Sequence, residues 1–470
     1  GTAIYAPTII SAVMSAANTV LRIPPVVISL MVFPELYHQL CRFAKWPIHW
    51  YTSTHSMITS RRALIPLLFL LVARPVLAEQ APELNTVPEG LQPPPPMVAG
   101  ESAILVETST ATVLYANNAD LVIPPASLTK LVAIHVVMEA VAAGETSLTE
   151  IVRVPPFAAA SAMAPDSSLM FLDTGQTVSV EDLLLGLVVS SGNDASVAVA
   201  THIAGSVSAF VERMNESVRR MGLTTTTFAD ASGLSPMNRT TAREFARFLL
   251  VHLNRFPELR QRLYSVVDFA YPKTENLVPG TTNPTIVQRN RNLLVGSDPR
   301  VDGLKTGFID ESGYNIAVSA GSEGLEVVAI VLGVAADNHA AGGRLRAEAA
   351  RALLDYGFSS YEMVELSPPP VEPTRIWEGT RTEITAVGAP ASLVVPSNVI
   401  DQLDGRVFQV QEVTAPIARG ENLGRVSYRI GEREYHSVSL VAPEAVPAAG
   451  LPVRLWHRVM RMVTTGRSGP

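Results

Sequence analysis

The amino-acid sequence predicts an α/β protein of the α+β type, in which a mixed domain precedes a small all-β domain. Two β-prone stretches come first, a long helical region follows, and two more strands and a helix close the first domain. Strands that frame helices in this way are expected to meet in one sheet. The strand candidates are residues 103–107, 112–116, 314–320 and 326–334, and the helix candidates are residues 128–136, 180–189, 194–204, 208–221, 240–253 and 344–356.

Local patterns support these elements. The first two strand candidates are separated by a short polar turn, which predicts a hairpin. Apolar residues recur at helical spacing after Pro124, as in Leu128 and Leu131. Thr241, followed by Glu244 three residues later, is the pattern of a capped helix start. After the first domain, β-branched residues with frequent Gly and Pro turns predict the all-β domain.

Composition excludes several classes of protein. The 470 residues are 47% hydrophobic and 17% charged, and the net charge of -7 is mild for this length. No basic run carries interleaved aromatic residues, so nucleic-acid binding is not expected. Cys41 is the only cysteine, which rules out an internal disulfide and any site that needs several thiolates. We expect no metal and no cofactor.

Residues 57–78 have the pattern of a cleavable export signal. A basic pair beginning at Arg61 precedes an apolar run up to Ala73, and Ala78 supplies the small residue that the cut site needs. The run is shorter than the roughly 20 residues that cross a bilayer. Residues 1–56 are interpreted as an upstream extension of doubtful origin, translated from an earlier start, and a real upstream membrane segment is the alternative.

Proline-rich stretches predict the domain limits. Residues 79–100 predict an extended linker. They are followed by a first domain at 101–358 and a small β domain at 368–443. Residues 448–465 predict an amphipathic helix that anchors the protein to a membrane surface. Its apolar face carries Leu451, Leu455, Val459 and Met462, and its basic face carries Arg454, His457, Arg458 and Arg461.

The first candidate for chemistry is Ser127, three residues before Lys130 at the start of a helix. This spacing puts both side chains on one helical face. A serine hydroxyl becomes a good nucleophile when a neighbouring base takes its proton, and a lysine can be that base when its pKa is lowered. Taken alone, the pair is better explained by a helix cap and a surface lysine.

Two further motifs change this interpretation. Ser191 and Asn193 follow an apolar helix, and Lys305-Thr306-Gly307 precedes a strand. Ser-x-x-Lys, Ser-x-Asn and Lys-Thr-Gly, in this order, are the three elements of penicillin-binding proteins and serine β-lactamases. The combination predicts a serine acyl-enzyme with Ser127 as its nucleophile.

Residues 101–358 resemble the serine D-alanyl-D-alanine carboxypeptidases, the low-molecular-mass penicillin-binding proteins. The matching segments read PPASLTKL, MFLDTGQTVSVEDLLLGLVVSSGNDASVAVA, FVERMN, DGLKTGF and SGYNIAVSA. The β domain and the terminal helix match the layout of that family as well. The resemblance implies a penicillin-binding-protein or β-lactamase-like domain, with an antiparallel sheet flanked by helices.

The resemblance also implies a role for each matching residue. Ser127 attacks the bond between the terminal D-alanines of a peptidoglycan pentapeptide, Lys130 is the general base, and Ser191 relays a proton to the leaving amine. The substrate is held by Asn193, Lys305, Thr306, Gly307, Phe308 and Arg346. The backbone N–H groups of Ser127 and Phe308 form the oxyanion hole. β-Lactam antibiotics are the expected inhibitors, and the expected location is the periplasm, at the surface of the inner membrane.

One position departs from the family pattern. Many relatives carry His directly after Lys-Thr-Gly, whereas this chain carries Phe308. The backbone donor is kept, but a side-chain role of histidine in substrate preference or pH response is not. The position of Arg346 is inferred by counting back from Gly357.

Other functions remain open at this stage. A peptidoglycan endopeptidase is closely related, a β-lactamase lacks support because Glu212 is interpreted as helix surface, and a non-catalytic cell-wall scaffold is disfavoured by the intact motifs. His135 lies among apolar helix positions and is interpreted as a core histidine. His202 and His339 have no partner at metal-ligand spacing.

Overall fold

The computed structural model describes residues 80–465, which belong to one compact unit of the chain. The upstream extension at 1–56, with Cys41, and the export signal at 57–78 lie outside the described residues. The first domain contains β1 (Asn85–Thr86), β2 (Ser102–Glu107), β3 (Thr112–Asn117), β4 (Ile151–Arg153), β5 (Thr177–Ser179), β6 (Asp268–Tyr271), β7 (Ile286–Arg289), β8 (Val301–Ile309), β9 (Gly313–Ser322) and β10 (Leu325–Val334). Its helices are α1 (Thr129–Ala143), α2 (Val180–Leu185), α3 (Asn193–Ala204), α4 (Val207–Arg220), α5 (Ala242–Arg255) and α6 (His339–Ser360).

The central sheet has the strand order β1-β3-β2-β10-β9-β8. All neighbours are antiparallel except the two-residue β1, which runs parallel to β3. The first and last strands of the domain therefore meet in one sheet, as predicted. β8 forms one edge of this sheet.

Side chains alternate between the two faces of the sheet, and each face is covered by helices. Ile104 and Val328 belong to the core shared with α1, α3, α4 and α5, whereas Leu105 and Ala329 belong to the core shared with α6. This alternation follows from the two-residue period of a strand. The α+β class and the antiparallel sheet flanked by helices are confirmed.

Helix α1 is the most buried helix of the first domain. By length and composition the segment Ala126–Ala143 could cross a membrane, but 72% of it is buried inside the protein. It is a core helix, and α3 and α4 pack against it. Gly144 ends it with a φ of 75°, a left-handed conformation that favours glycine.

Two helix starts differ in detail from the sequence pattern. The Thr241 hydroxyl accepts from the N–H of Glu244 at 3.0 Å, as a cap should, but the Glu244 carboxylate accepts from the backbone of residues 224–226 instead. Helix α6 begins at His339, five residues earlier than predicted. The Asn338 side chain caps it by accepting from the N–H of Ala341 at 2.9 Å.

The second domain is built from short strands around its own core. Its strands are β11 (Tyr361–Leu366), β12 (Thr374–Trp377), β13 (Glu383–Ile384), β14 (Val387–Gly388), β15 (Ala391–Pro396), β16 (Leu403–Gln409), β17 (Glu412–Thr414), β18 (Asn422–Ile430) and β19 (Arg433–Val441). They form sheets of order β11-β15, β13-β12-β17 and β14-β19-β18-β16. The Tyr361 hydroxyl donates to the carbonyl of Leu114 at 3.1 Å and ties this domain to the central sheet.

Helix α7 (Leu451–Thr465) ends the described chain. Its arginines contact the β domain: Arg454 and Arg458 donate to the Glu378 carboxylate at 3.0 and 2.8 Å, and Arg461 donates to Glu412 at 3.0 Å. The apolar side chains of the helix face solvent. The exposed fractions are 70% for Leu451, 60% for Leu455, 62% for Trp456 and 53% for Val459.

Candidate active site

Ser127 lies in a single 3₁₀ turn, Ala126–Leu128, directly before α1. Ala126 has a φ of 50°, and neither the turn nor α1 carries a side-chain cap at its N-terminus. The Ser127 Oγ is instead 3.1 Å from the Nζ of Lys130. The serine is thus placed for chemistry rather than for capping.

Lys130 is completely buried, with 0% exposure. Its Nζ is 2.8 Å from Asn193 Oδ1 and 2.5 Å from the backbone carbonyl of Ser232, in addition to the contact with Ser127. The pKa of Lys130 is lowered to about 7, mainly by burial; the positive charge of Arg291 acts in the same direction, whereas Asp230 and Asp194 oppose the shift. The amine can therefore be neutral, and act as a base, near neutral pH.

Ser191 and Asn193 are set by a distortion that the sequence does not reveal. The helix that starts with α2 widens into a π-helical turn over Gly186–Ser190, and Ser191 leaves it with a φ of 59°. Such turns are common at functional sites. Asn193 then opens α3, so its side chain reaches Lys130 from a different element.

Asp194, the residue after Asn193, fixes the neighbouring backbone segment at Met170–Leu172. Its carboxylate accepts from the backbone N–H groups of Met170 and Leu172 at 2.8 and 3.0 Å. Burial raises its pKa, although these hydrogen bonds favour the charged form. Gly192 cannot carry a side chain here, because a Cβ would lie 2.8 Å from the Met170 nitrogen.

Lys305, Thr306 and Gly307 lie on the edge strand β8, directly against the serine turn. A Cβ on Gly307 would be 2.9 Å from both the Pro125 oxygen and the Ser127 nitrogen, so only glycine allows this approach. The buried Lys305 donates to the Thr306 carbonyl at 2.9 Å. Burial, and then the positive charge of Lys130, holds the pKa of Lys305 well below its ordinary value.

Phe308 lies on the same strand, and Arg346 lies beside it. The Phe308 ring stacks on the Tyr314 ring with centroids 4.3 Å apart. Arg346, on α6, donates from Nη1 to the Gly307 carbonyl at 3.0 Å and from Nη2 to the Arg291 carbonyl at 3.4 Å. Burial lowers the pKa of Arg346 to about 10. Arg346 therefore supports the strand that faces Ser127.

The sequence motifs missed a loop that completes the site. Ser232 supplies the carbonyl that Lys130 contacts, and Asp230 shapes the loop by accepting from the N–H groups of Gly233 and Leu234 at 2.7 and 2.9 Å. A Cβ on Gly233 would lie 1.9 Å from the Ala126 oxygen. The Asp and Gly of this turn were the available signal, but turn residues do not show what the turn contacts.

One cavity of about 830 Å³ joins these residues. Ser127, Ser191, Asn193, Thr306 and Gly307 line it, and Lys130 and Lys305 are buried beside it. Arg291, which also lines it, was not predicted. Within residues 80–465, no cluster of three or more His, Cys, Asp or Glu side chains could hold a metal ion.

Two other residues that the sequence singled out, Glu212 and His135, lie away from the cavity. Glu212 is exposed on α4 and does not line the cavity. His135 is buried, as predicted for a core histidine, and its Nδ1 lies 3.1 Å from the Nδ1 of His252. Burial lowers the pKa of His135 to about 3, so it is neutral in the core. His339, by contrast, lines the cavity.

A serine paired with a buried amine, beside a strand edge that can bind an extended peptide, defines a serine peptidase that works through an acyl-enzyme. Comparison with known proteins agrees with this class. Residues 89–336 match the D-alanyl-D-alanine carboxypeptidase family, and residues 361–448 match the C-terminal domain of penicillin-binding protein 5. The chain belongs to the D-alanyl-D-alanine carboxypeptidase family, and the resemblance found in its motifs is confirmed.

Relatives and solved structures match over both domains. The chain is 31% identical to the D-alanyl-D-alanine carboxypeptidase DacC of Escherichia coli over 421 residues, which cover 87% of this chain and 97% of the relative. Penicillin-binding protein 5 of Haemophilus influenzae superposes with a TM-score of 0.65 at 30% identity, covering 76% and 99% of the two chains. Penicillin-binding protein 6B of Escherichia coli gives a TM-score of 0.59 at 30% identity, covering 76% and 100%.

Proposed function

We propose that the enzyme removes the terminal D-alanine from peptidoglycan pentapeptides through an acyl-enzyme on Ser127. The observation that carries the proposal is the 3.1 Å contact between the Ser127 Oγ and the buried Nζ of Lys130, whose pKa is lowered to about 7. The family of the chain supplies the substrate class. Peptides that end in D-Ala-D-Ala are therefore the first substrates to test.

The partners of Lys130 determine the direction of proton transfer. A neutral amine has two N–H donors and one lone pair. Asn193 Oδ1 and the Ser232 carbonyl can only accept, and they are the two nearest partners, at 2.8 and 2.5 Å. Both N–H groups are thus used, and the lone pair faces Ser127, the one partner that can donate. Lys130 is the general base in this scheme.

Acylation then proceeds in two steps. The Ser127 oxygen attacks the carbonyl carbon between the two D-alanines while its proton passes to Lys130, and the oxyanion is bound by the N–H groups of Ser127 and Phe308. The carbon–nitrogen bond breaks next, and the leaving amine takes a proton by way of Ser191. Free D-alanine and an ester on Ser127 result.

The remaining groups bind the substrate and complete the cycle. Lys305 and Thr306 address the terminal carboxylate, and Asn193 holds a substrate amide. Arg346, which lines the cavity and supports the strand edge at Gly307, helps to bind the same carboxylate. Water attacks the ester, its proton passes to Lys130, and the Ser127 oxygen recovers a proton as the shortened peptide leaves.

A carboxypeptidase is favoured over the related endopeptidase. The D-alanyl-D-alanine endopeptidase of Pseudomonas aeruginosa is 32% identical, but it matches only 46% of this chain and 66% of its own length. The carboxypeptidase DacC of Escherichia coli matches over 97% of its length. The exposed position of Glu212 gives no support to a β-lactamase of the type that deacylates through a glutamate.

A labelling experiment tests the function. Wild-type protein incubated with a fluorescent penicillin should carry a long-lived label that Ser127→Ala loses, and a pentapeptide should yield free D-alanine and a tetrapeptide. Rapid turnover of the penicillin would indicate a β-lactamase. A folded wild-type protein that neither takes the label nor releases D-alanine would contradict the proposal.

The same proposal places the enzyme in the periplasm, on the surface of the inner membrane, after export by residues 57–78. The apolar side of α7 faces away from the protein, and its arginines are bound by Glu378 and Glu412. Attachment is therefore expected to depend on apolar insertion more than on attraction to anionic headgroups.

Fractionation tests the attachment. High salt should leave the wild-type protein on membranes, because salt screens charge but does not weaken apolar insertion. Deletion of residues 451–470, or Trp456→Glu alone, should release it with its penicillin binding intact. Release of the wild-type protein by salt, or membrane binding that survives the deletion, would refute this mode of attachment.

A further inference from the structure

Three aromatic side chains form one continuous wall of the cavity, here called the aromatic wall: Phe308, Tyr314 and His339. The Phe308 and Tyr314 rings are stacked 4.3 Å apart. The His339 ring stands edge-on to Phe308, with centroids 4.8 Å apart and planes at 90°. The Tyr314 oxygen and the Nδ1 of His339 are 3.0 Å apart, within hydrogen-bond distance.

The backbone around the wall is shaped to hold it. Tyr314 is buried on β9, and its ring packs directly on α6 at Gly342, where a Cβ would lie 2.3 Å from ring atoms. The guanidinium of Arg346 lies over the same ring, 5.8 Å from its centroid. His339 is thereby fixed at the rim of the cavity, exposed to solvent. Its Nε2 has no hydrogen-bond partner within residues 80–465.

Strand geometry places the wall on the leaving-group side of the site. Thr306 and Phe308 are two residues apart on β8, so their side chains point to the same face. Thr306, together with Lys305, is proposed to address the terminal carboxylate. Helix α6 contacts the same strand through Arg346, whose Nη1 and Nη2 both donate to backbone carbonyls. His339, the first residue of α6, offers a further donor for the carboxylate on this side.

We propose that the aromatic wall is the subsite for the leaving residue, which deepens the proposed function and rests on it. The Phe308 ring contacts the methyl group of the leaving D-alanine, and the Nε2–H of His339 donates to its carboxylate. Tyr314 is a positioning residue, because its hydroxyl donates to Nδ1 and so keeps the imidazole proton on Nε2. Helix α6 thus supplies an imidazole to this site, whereas many relatives carry a histidine directly after Lys-Thr-Gly.

The test separates acylation from deacylation. The leaving residue has departed once the acyl-enzyme forms, so its subsite affects acylation alone. Two peptides with the same acyl part, one ending in D-Ala-D-Ala and one in D-Ala-Gly, give kcat/KM for acylation, and single-turnover decay of the common acyl-enzyme gives the deacylation rate. Wild-type protein provides the reference for both.

The expected results differ between variants. His339→Ala should lower kcat/KM for D-Ala-D-Ala about 10- to 100-fold, the effect of a hydrogen bond to a charged group, and leave deacylation unchanged. His339→Gln, which keeps an amide donor, should recover part of this loss, and Tyr314→Phe should show an intermediate loss. Phe308→Ala should reduce the preference for D-Ala over Gly by about tenfold.

Two results would overturn the subsite. One is unchanged acylation in both His339→Ala and Tyr314→Phe, and the other is an equal slowing of acylation and deacylation. Thermal midpoints identify any variant that fails to fold, and His339→Gln with Tyr314→Phe then carries the test. Failure of the proposed function itself looks different, since the wild-type protein would release no D-alanine from either peptide.

Discussion

Replacement of Arg291 by Gln tests whether Lys130 is the base that activates Ser127. Arg291 lines the cavity, and its positive charge adds to burial in lowering the pKa of Lys130. Within the described residues its guanidinium forms no ion pair, so the substitution leaves no carboxylate without a partner. Loss of this charge should raise the pKa of Lys130, and more of the amine should then be protonated at neutral pH.

The magnitude follows from the pKa of Lys130. An ordinary lysine, with a pKa of 10.5, is neutral in roughly three molecules in ten thousand at pH 7. With the pKa lowered to about 7, about half of the molecules carry the neutral base, a gain on the order of a thousandfold. Acylation by the wild-type enzyme should therefore rise about tenfold between pH 6 and pH 8 and then level off.

The assay is the second-order rate constant for penicillin labelling of Ser127, measured from pH 5.5 to 9. Arg291→Gln should shift the rising part of the curve to higher pH, so that its rate falls most below pH 7. Lys130→Gln should lower the rate at least a hundredfold at every pH and serves as the control without a base. A wild-type rate that does not change between pH 6 and 8, or an Arg291→Gln curve shifted to lower pH, would refute this role of Lys130.

Three further outcomes follow from the structure. Gly307→Ala should fold but lose most penicillin labelling, because its Cβ would lie 2.9 Å from the Ser127 nitrogen; normal labelling would contradict the proposed strand approach. Asp194→Ala should destabilise the protein by about 2–5 kcal/mol in urea unfolding, because it leaves the buried N–H groups of Met170 and Leu172 without an acceptor. A change in unfolding free energy within about 0.5 kcal/mol, the size expected of a surface substitution, would argue against this role. His135 binds its proton more weakly in the folded than in the unfolded protein, so the free energy of unfolding should fall as the pH drops below about 6.5, by up to about 1.4 kcal/mol per pH unit. The thermal midpoint of His135→Phe should therefore depend less on pH than that of the wild-type protein.

Local sequence patterns predicted the parts of the fold that local forces determine. The strand pair, the central helices and the two long strands follow from period and turn chemistry, and Thr241 caps α5 as expected. The start of α6 was placed five residues too late. Its first five residues include Gly342 and Gly343, which lower helix propensity, whereas the cap at Asn338 that stabilises it is a single residue.

Long-range contacts explain what the sequence did not predict. Lys130 and Ser232 are 102 residues apart, and no spacing rule relates them. Glu244 looked like half of a capping box, yet its carboxylate binds the backbone of residues 224–226. A side chain with several possible acceptors or donors takes the partner that tertiary packing brings near. Motif spacing therefore predicted which residues carry the chemistry better than it predicted what surrounds them.

The surroundings are nevertheless what make Ser-x-x-Lys more than a helix cap. The motif itself brings Lys130 to 3.1 Å from Ser127, but the two acceptors that orient the amine come from α3 and from the loop at Ser232. Without both acceptors a neutral Lys130 could turn an N–H, rather than its lone pair, toward the serine. The Asp230 turn holds the Ser232 carbonyl, and Gly233 lets that turn pass against Ala126. This loop is therefore as necessary for a basic Lys130 as burial is.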